Sequence, residues 1–144
     1  MKNDTEKSPA LVDTNMLVHA YAENSTKGQK AAEMINDCFQ GKTTLAVSLQ
    51  NIGEFCDVGL RKFKLDPAIV QRVSMHILAC VTFIKVAYTG TTLHRAVELS
   101  AASKLKFWDA VLVATMKENA IETIYTEDAA FGKIEGIKAV NPFQ

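Results

Sequence analysis

Short apolar runs alternate with longer segments of helical periodicity along this chain, and that alternation leaves few folds open. Ala10 to Asp13, Leu45 to Val47, Val81 to Ala87, Ile121 to Tyr125 and Ile137 to Val140 read as short buried strands. Helices are expected between them. One covers Asn15 to Ala22, and a second runs from a cap at Ser25 or Thr26 to Phe39, with Gly41 as its stop signal. Ser48 caps a third to about Lys62, and Asp66–Pro67 opens a fourth. A fifth runs from Thr91 or Thr92 to Leu105, and a sixth from Phe107 to Asn119. Strands joined through helices need right-handed crossovers and a parallel sheet covered on both faces. The expected fold is α/β, three layers (α/β/α) around a short, mostly parallel five-stranded sheet. Residues 1–8 read as a loose tail and 9–144 as one domain, with no repeat or dividing linker.

Four carboxylates fall at the junctions of this pattern. Asp13 ends the run PALVD, Asp128 follows IETIYTE, and Glu54 and Asp109 lie early in otherwise apolar helical segments. In an open parallel sheet, ligands bind beyond the carboxyl ends of the strands. Acids gathered there cannot all stay ionised without a counter-charge. A hard divalent cation suits such oxygen ligands, with magnesium or manganese the natural choices. Each acid alone has a plainer explanation. Asp13 or Asp128 would cap a helix or turn, Glu54 would be a solvated helix residue, and Asp109 would favour the helix dipole in a first turn. Their convergence on one end of the sheet points instead to a metal-dependent enzyme acting on a phosphate. Asn15 and Thr126 are placed to hold the carboxylates by hydrogen bonds.

Several classes are disfavoured. Hydrophobic content of 48% and charged content of 22% are ordinary for a globular protein, and 16 basic residues balance 16 acidic ones. Any attraction to nucleic acid must therefore come from a local patch. The polar start MKNDTEKSP is no secretory signal, and no run is long enough to span a membrane. Cys38, Cys56 and Cys80 form no metal or redox spacing and read as small apolar residues of a reducing, cytoplasmic protein. No phosphate-binding P-loop and no nucleophile elbow occurs. A signalling receiver domain would share the layout, but it needs paired acids after its first strand and a lone aspartate after its third; here stand Asp13-Thr14-Asn15 and Val86-Ala87-Tyr88-Thr89.

The segments VDTNMLVHAY, VSLQNIGEF, FWDAVLVATMKE and IYTEDAAF, in that order and spacing, resemble the PIN-domain nucleases, most closely the VapC-type toxins of toxin–antitoxin pairs. The resemblance spans residues 10–143. It implies a ribonuclease cleaving single-stranded RNA, with magnesium or manganese in an acidic pocket and 5′-phosphate and 3′-hydroxyl products. The family's four acids fall on Asp13, Glu54, Asp109 and Asp128, its early asparagine on Asn15 and its small polar residue on Thr126. The metal would be held by Asp13, Asp109 and Asp128, with Glu54 orienting water or completing the shell. Glu127 competes with Asp128 for the fourth place. The resemblance also implies a homodimer and an antitoxin partner, with Met34, Ile35 and Phe39 as an exposed contact region. A non-catalytic RNA-binding or interaction module is the alternative.

Other residues carry weaker signals. Lys104 and Lys106 precede Asp109 and are candidate phosphate contacts, as are Lys62 and Lys64 beside Arg61 at a helix end. His19, His76 and His94 show no zinc spacing. Phe107 and Trp108 are expected in the core rather than as base-stacking platforms.

Overall fold

Period-two alternation along the strands explains the layers. Leu11 and Val12 of β1 (Ala10–Val12) are both wholly buried, yet they join different apolar clusters on opposite faces of the sheet. In β2 (Leu45–Ser48), Ala46 packs on one face and Leu45 and Val47 on the other. Such strands must be covered twice. The computed structural model describes residues 8–144, so the tail expected at residues 1–8 lies outside the described residues apart from Ser8. Its five strands are all parallel, in the order β3-β2-β1-β4-β5, with β3 at Phe83–Val86, β4 at Thr123–Tyr125 and β5 at Lys138–Val140.

One face carries α1 (Thr14–Ala22), α2 (Thr26–Phe39), α3 (Leu49–Arg61) and α4 (Pro67–Ala79). The other carries α5 (Gly90–Ser103), α6 (Phe107–Glu118) and a short 3-10 helix at Ala129–Lys133. From Ala110 to Met116 every residue of α6 is buried, which is why its sequence is apolar all round. Each large side chain so buried contributes about 1.5–3 kcal/mol. Gly28 lets α2 meet the end of α1: a Cβ there would lie 2.2 Å from the Glu23 carbonyl oxygen and 2.8 Å from that of His19.

The local signals predict the elements but miss some ends. The third strand starts at Phe83, not Val81, because the Phe83 amide closes a tight turn on the Cys80 carbonyl and Val81 is exposed. α5 is capped by Thr89 rather than opened by Thr91 or Thr92; the Thr89 and Thr92 hydroxyls and amides bond reciprocally. The fourth strand loses Ile121, whose amide turns back to the Met116 carbonyl to finish α6. Ile35, expected on an exposed contact surface, is 1% exposed and belongs to the core, with Met34 and Phe39 packed partly against it. An amphipathic stripe looks the same in sequence whether a partner or the sheet covers it.

The strand order decides where a site belongs. The chain builds outward from β1 through β2 to β3, then crosses to β4 on the other side of β1. The β1–β4 boundary is therefore the switch point, where connections leave in opposite directions and a crevice opens beyond the strand ends.

Candidate active site

Asp13 follows β1 and Thr126 to Asp128 follow β4, so both segments enter that crevice. The backbone closes the join: the Asp13 amide donates to the Tyr125 carbonyl at 3.1 Å. The Thr126 hydroxyl donates to Asp13 Oδ2 at 2.8 Å and accepts the Asp128 amide at 3.0 Å. Asp13 Oδ1 accepts the Thr14 amide at 2.7 Å. Asp13 thus caps α1 as its plainer reading predicts, and its second carboxylate oxygen is held by Thr126 from the end of β4. Thr126, predicted as a support, is 2% exposed and bridges the two strand ends. Asn15 is exposed and has no side-chain hydrogen bond among the described residues.

Its place is taken by Asn51 and Thr14, to which the sequence assigned no such role, working with the expected cap Ser48. The Ser48 hydroxyl caps α3 by accepting the Asn51 amide and donates to Asn51 Oδ1. Asn51 Nδ2 donates to the Thr14 hydroxyl at 3.0 Å, which donates to Glu54 Oε2 at 2.9 Å. Ser48, Asn51 and Thr14 are all buried. This chain of hydrogen bonds fixes Glu54 relative to the end of β1. From the other side, Gln50 Nε2 donates to Glu54 Oε1 and to the Trp108 carbonyl, both at 3.0 Å, tying α3 to α6. The available signal was polar Asn51 on the inward face of α3, between Ser48 and the buried Ile52 and Phe55.

Asp109 stands in the first turn of α6. Burial raises the pKa of Asp109 above the usual carboxylate range; the charges of Asp128 and Glu54 add to this, and Lys106 opposes it. Asp13 is also raised, by burial first, with Glu54 and Asp109 adding to it and the hydrogen bonds from Thr126 and Thr14 opposing it. Asp13 and Asp109 therefore each feel other acids of the set.

Glu127 is drawn elsewhere. His19 sits between two carboxylates, Nδ1 at 2.5 Å from Glu23 Oε2 and Nε2 at 2.5 Å from Glu127 Oε1, while Lys27 Nζ meets Glu127 Oε2 at 2.5 Å. Acceptors on both ring nitrogens call for the doubly protonated imidazolium. The neighbours thus separate: Glu127 belongs to this ionic cluster, while Asp128 caps the 3-10 helix by accepting the Ala130 amide at 2.9 Å and its charge is felt by Asp109.

The lysines divide. Lys106 caps α6 within electrostatic reach of Asp109, and Lys104 ends α5 two residues earlier. Lys62 and Lys64 lie past the far end of α3, since Glu54 and Lys62 are separated by roughly 12 Å of helix rise. They are not brought to the acids. Phe107 and Trp108 are not in the core, being 37% and 50% exposed. A cavity of about 990 Å³ opens among the first residues of β1, β2, β4 and β5, away from the acids, and holds none of them.

Among the described residues no three His, Cys, Asp or Glu side chains stand close enough to hold one ion by themselves. Magnesium keeps several waters and takes only one or two carboxylates beside substrate phosphate. The donors are all oxygen, two of the acids are under-compensated, and Asp13 is held in a fixed orientation. The residues fit a hard divalent cation.

The architecture is an open α/β domain whose β1–β4 switch point carries Asp13 and the segment Thr126 to Asp128. A PIN-domain family model matches residues 10–137, and the chain belongs to the PIN domain family. Among solved structures it is similar to a chain of a toxin–antitoxin complex from Klebsiella pneumoniae, with 28% identity, TM-score 0.65, and coverage of 92% of this chain and 97% of the other. It shares its fold with VapC20 of Mycobacterium tuberculosis, a toxin that cleaves the sarcin–ricin loop, at 16% identity, TM-score 0.68, and coverage of 86% and 93%. No curated protein matches significantly.

Proposed function

We propose that this protein is a magnesium- or manganese-dependent endoribonuclease that cleaves single-stranded RNA, and that it acts as the toxin of a toxin–antitoxin pair. The observation that carries this is the gathering of Asp13, Glu54, Asp109 and Asp128 about the β1–β4 switch point, where Asp13 and Asp109 are both raised in pKa by burial and by neighbouring acids, and where Lys106 is the one cation that opposes the Asp109 shift. Family membership and the likeness to a toxin–antitoxin complex support the same reading. A homodimer, a cytoplasmic location and an antitoxin bound over the acids belong to it. No helix among the described residues is long and apolar enough to cross a membrane.

A divalent ion bound here would polarise the scissile phosphate and lower the pKa of a bound water. Asp13, Asp109 and Asp128 would hold that ion, directly or through water. Thr126 keeps the Asp13 carboxylate turned into the crevice, and the Thr14 and Gln50 hydrogen bonds keep Glu54 aimed where it can orient the attacking water. Lys106 and Lys104 would meet the phosphates, Lys106 already lying in the field of Asp109. The test is incubation of purified, antitoxin-free protein with single-stranded RNA and magnesium or manganese. Cleavage that stops with EDTA supports the reading. Equal cleavage in EDTA removes the metal, and no cleavage with either ion favours a non-catalytic RNA-binding module.

A further inference from the structure

Every Phe, Tyr and Trp of the chain lies within the described residues, and only Tyr88, Phe107 and Trp108 are exposed, the others being buried or half-buried. Trp108 touches both of the others. The Tyr88 and Trp108 ring centroids are 5.9 Å apart at 59°, and those of Phe107 and Trp108 are 5.3 Å apart at 75°. Exposures of 41% for Tyr88 and 50% for Trp108 leave much ring surface in water. Large aromatics normally gain from burial, so three exposed together form a patch that calls for an occupant.

The place of the patch says which occupant. Tyr88 follows the carboxyl end of β3, and Phe107 and Trp108 open α6 directly before Asp109. One amide group, Gln50 Nε2, bonds both the Trp108 carbonyl and the Glu54 carboxylate, so the patch is fixed to the acids. Exposed Lys104 and Lys106 precede the aromatic pair in the chain. Aromatic faces beside lysines and next to a phosphate-cleaving site suit an unpaired strand, whose bases stack while its backbone meets the charge. We propose that Tyr88, Phe107 and Trp108 form a stacking platform for unpaired nucleobases beside the scissile phosphate. The proposal rests on the nuclease reading above and adds the means by which that site would prefer single strands.

Trp108 is the only tryptophan, so its fluorescence reports the patch alone. The full chain is titrated in EDTA with a single-stranded RNA dodecamer and with an abasic strand of equal length. The platform predicts quenching by the first and far less by the second; equal quenching, or none, overturns it. In parallel, cleavage is compared for wild type, Trp108→Leu and Trp108→Phe. Leucine keeps apolar bulk without a π-face and should raise KM by about 5- to 150-fold, the range that base–aromatic stacking gives. Phenylalanine should restore most of the loss, and kcat should change little, because a base held equally in ground and transition states is uniform binding. Wild-type cleavage with an unchanged KM in Trp108→Leu overturns the platform and leaves the nuclease reading standing. Base-dependent quenching without cleavage by any variant keeps the platform and removes the nuclease. If Trp108→Leu instead converts a dimer to monomer in sedimentation, with wild-type fluorescence depending on protein concentration without RNA, the patch is covered by a second copy and the proposal is wrong.

Discussion

Asp128 and Glu127 are neighbours in sequence, yet they belong to two carboxylate clusters of opposite character. Glu127 and Glu23 are matched by His19 and Lys27, while Asp13 feels the charges of Glu54 and Asp109, and Asp109 those of Asp128 and Glu54, with Lys106 the cation that offsets Asp109. In the matched cluster, hydrogen bonds from Lys27 and then His19 hold Glu127 below its ordinary pKa. Burial pulls His19 down, but its bonds to Glu127 and Glu23 outweigh it and leave the imidazole raised. Phe143 packs edge-on against His19 at 5.3 Å, so the C-terminal segment joins the clamp. In the unmatched group Asp13 and Asp109 are raised, by burial first and then by the charges of neighbouring acids. The first arrangement is complete without a ligand and serves the fold. On the proposed function, the second would be relieved when a cation or protons arrive, as perturbed carboxylates at functional sites are.

The largest expected difference is in activity. Asp109→Asn should lower cleavage by at least about 10²-fold, the scale on which removing one preorganised polar group acts. It should also raise the melting temperature of the metal-free protein, since one crowded charge is gone. Glu127→Gln should do the opposite: activity within about tenfold of wild type, and a lower melting temperature from leaving His19 and Lys27 without their shared anion. Cleavage and melting curves on both variants check this; equal activity in Asp109→Asn would dissolve the contrast.

The next effect is the response to metal. Wild type should gain about 2.7 kcal/mol of stability when magnesium is at a hundredfold excess over its dissociation constant. Glu127→Gln should keep that gain and Asp109→Asn should lose most of it, as read by melting with and without magnesium.

The clusters should also titrate differently in EDTA. His19 is raised above 6.5, so its contribution is full below that pH and fades as pH rises through its folded pKa. Glu127 is lowered below 4.5, so its contribution holds above that pH and fades as pH falls through its folded value. Together they favour a plateau between about 4.5 and 6.5. Asp13 and Asp109, raised above 3.8, cost stability as pH rises through their folded values. His19→Gln should therefore flatten the loss on the neutral side, whereas Asp109→Asn should remove a loss that sets in as pH rises through the acidic range and so leave the acid limb governed by Glu127 steeper. Denaturant unfolding as a function of pH measures both slopes; identical slopes in the two variants would mean that one cluster controls both.

The smallest expected effect is on salt dependence. With Lys104 and Lys106 near the acids, the log–log slope of single-strand RNA binding should be about −1.4, from two phosphates at about −0.7 each. Lys106→Ala should reduce it by about 0.7. Lys62→Ala and Lys64→Ala, at the far end of α3, should leave it unchanged.

Much of this was legible in the residues themselves. Alternation of apolar runs and helical periods settles the α/β class, because side-chain period is a property of neighbours one to four residues apart. Caps at Ser25, Ser48 and Asp66 are local bonds, and all three form as the sequence suggests. The acids' placement at strand ends and helix starts is likewise visible in one dimension. Only the tertiary structure decided which ends meet. Nothing local says that β4 lies beside β1 rather than beside β3, so the Thr126–Asp13 bond, spanning 113 positions, follows from strand order. The same long-range packing turns Glu127 toward His19, carries Lys62 and Lys64 away from the acids, seats Asn51 against Thr14, and leaves Trp108 in water where its apolar neighbours promised burial. Local chemistry proposes each element, but burial and charge pairing depend on what the fold sets opposite it.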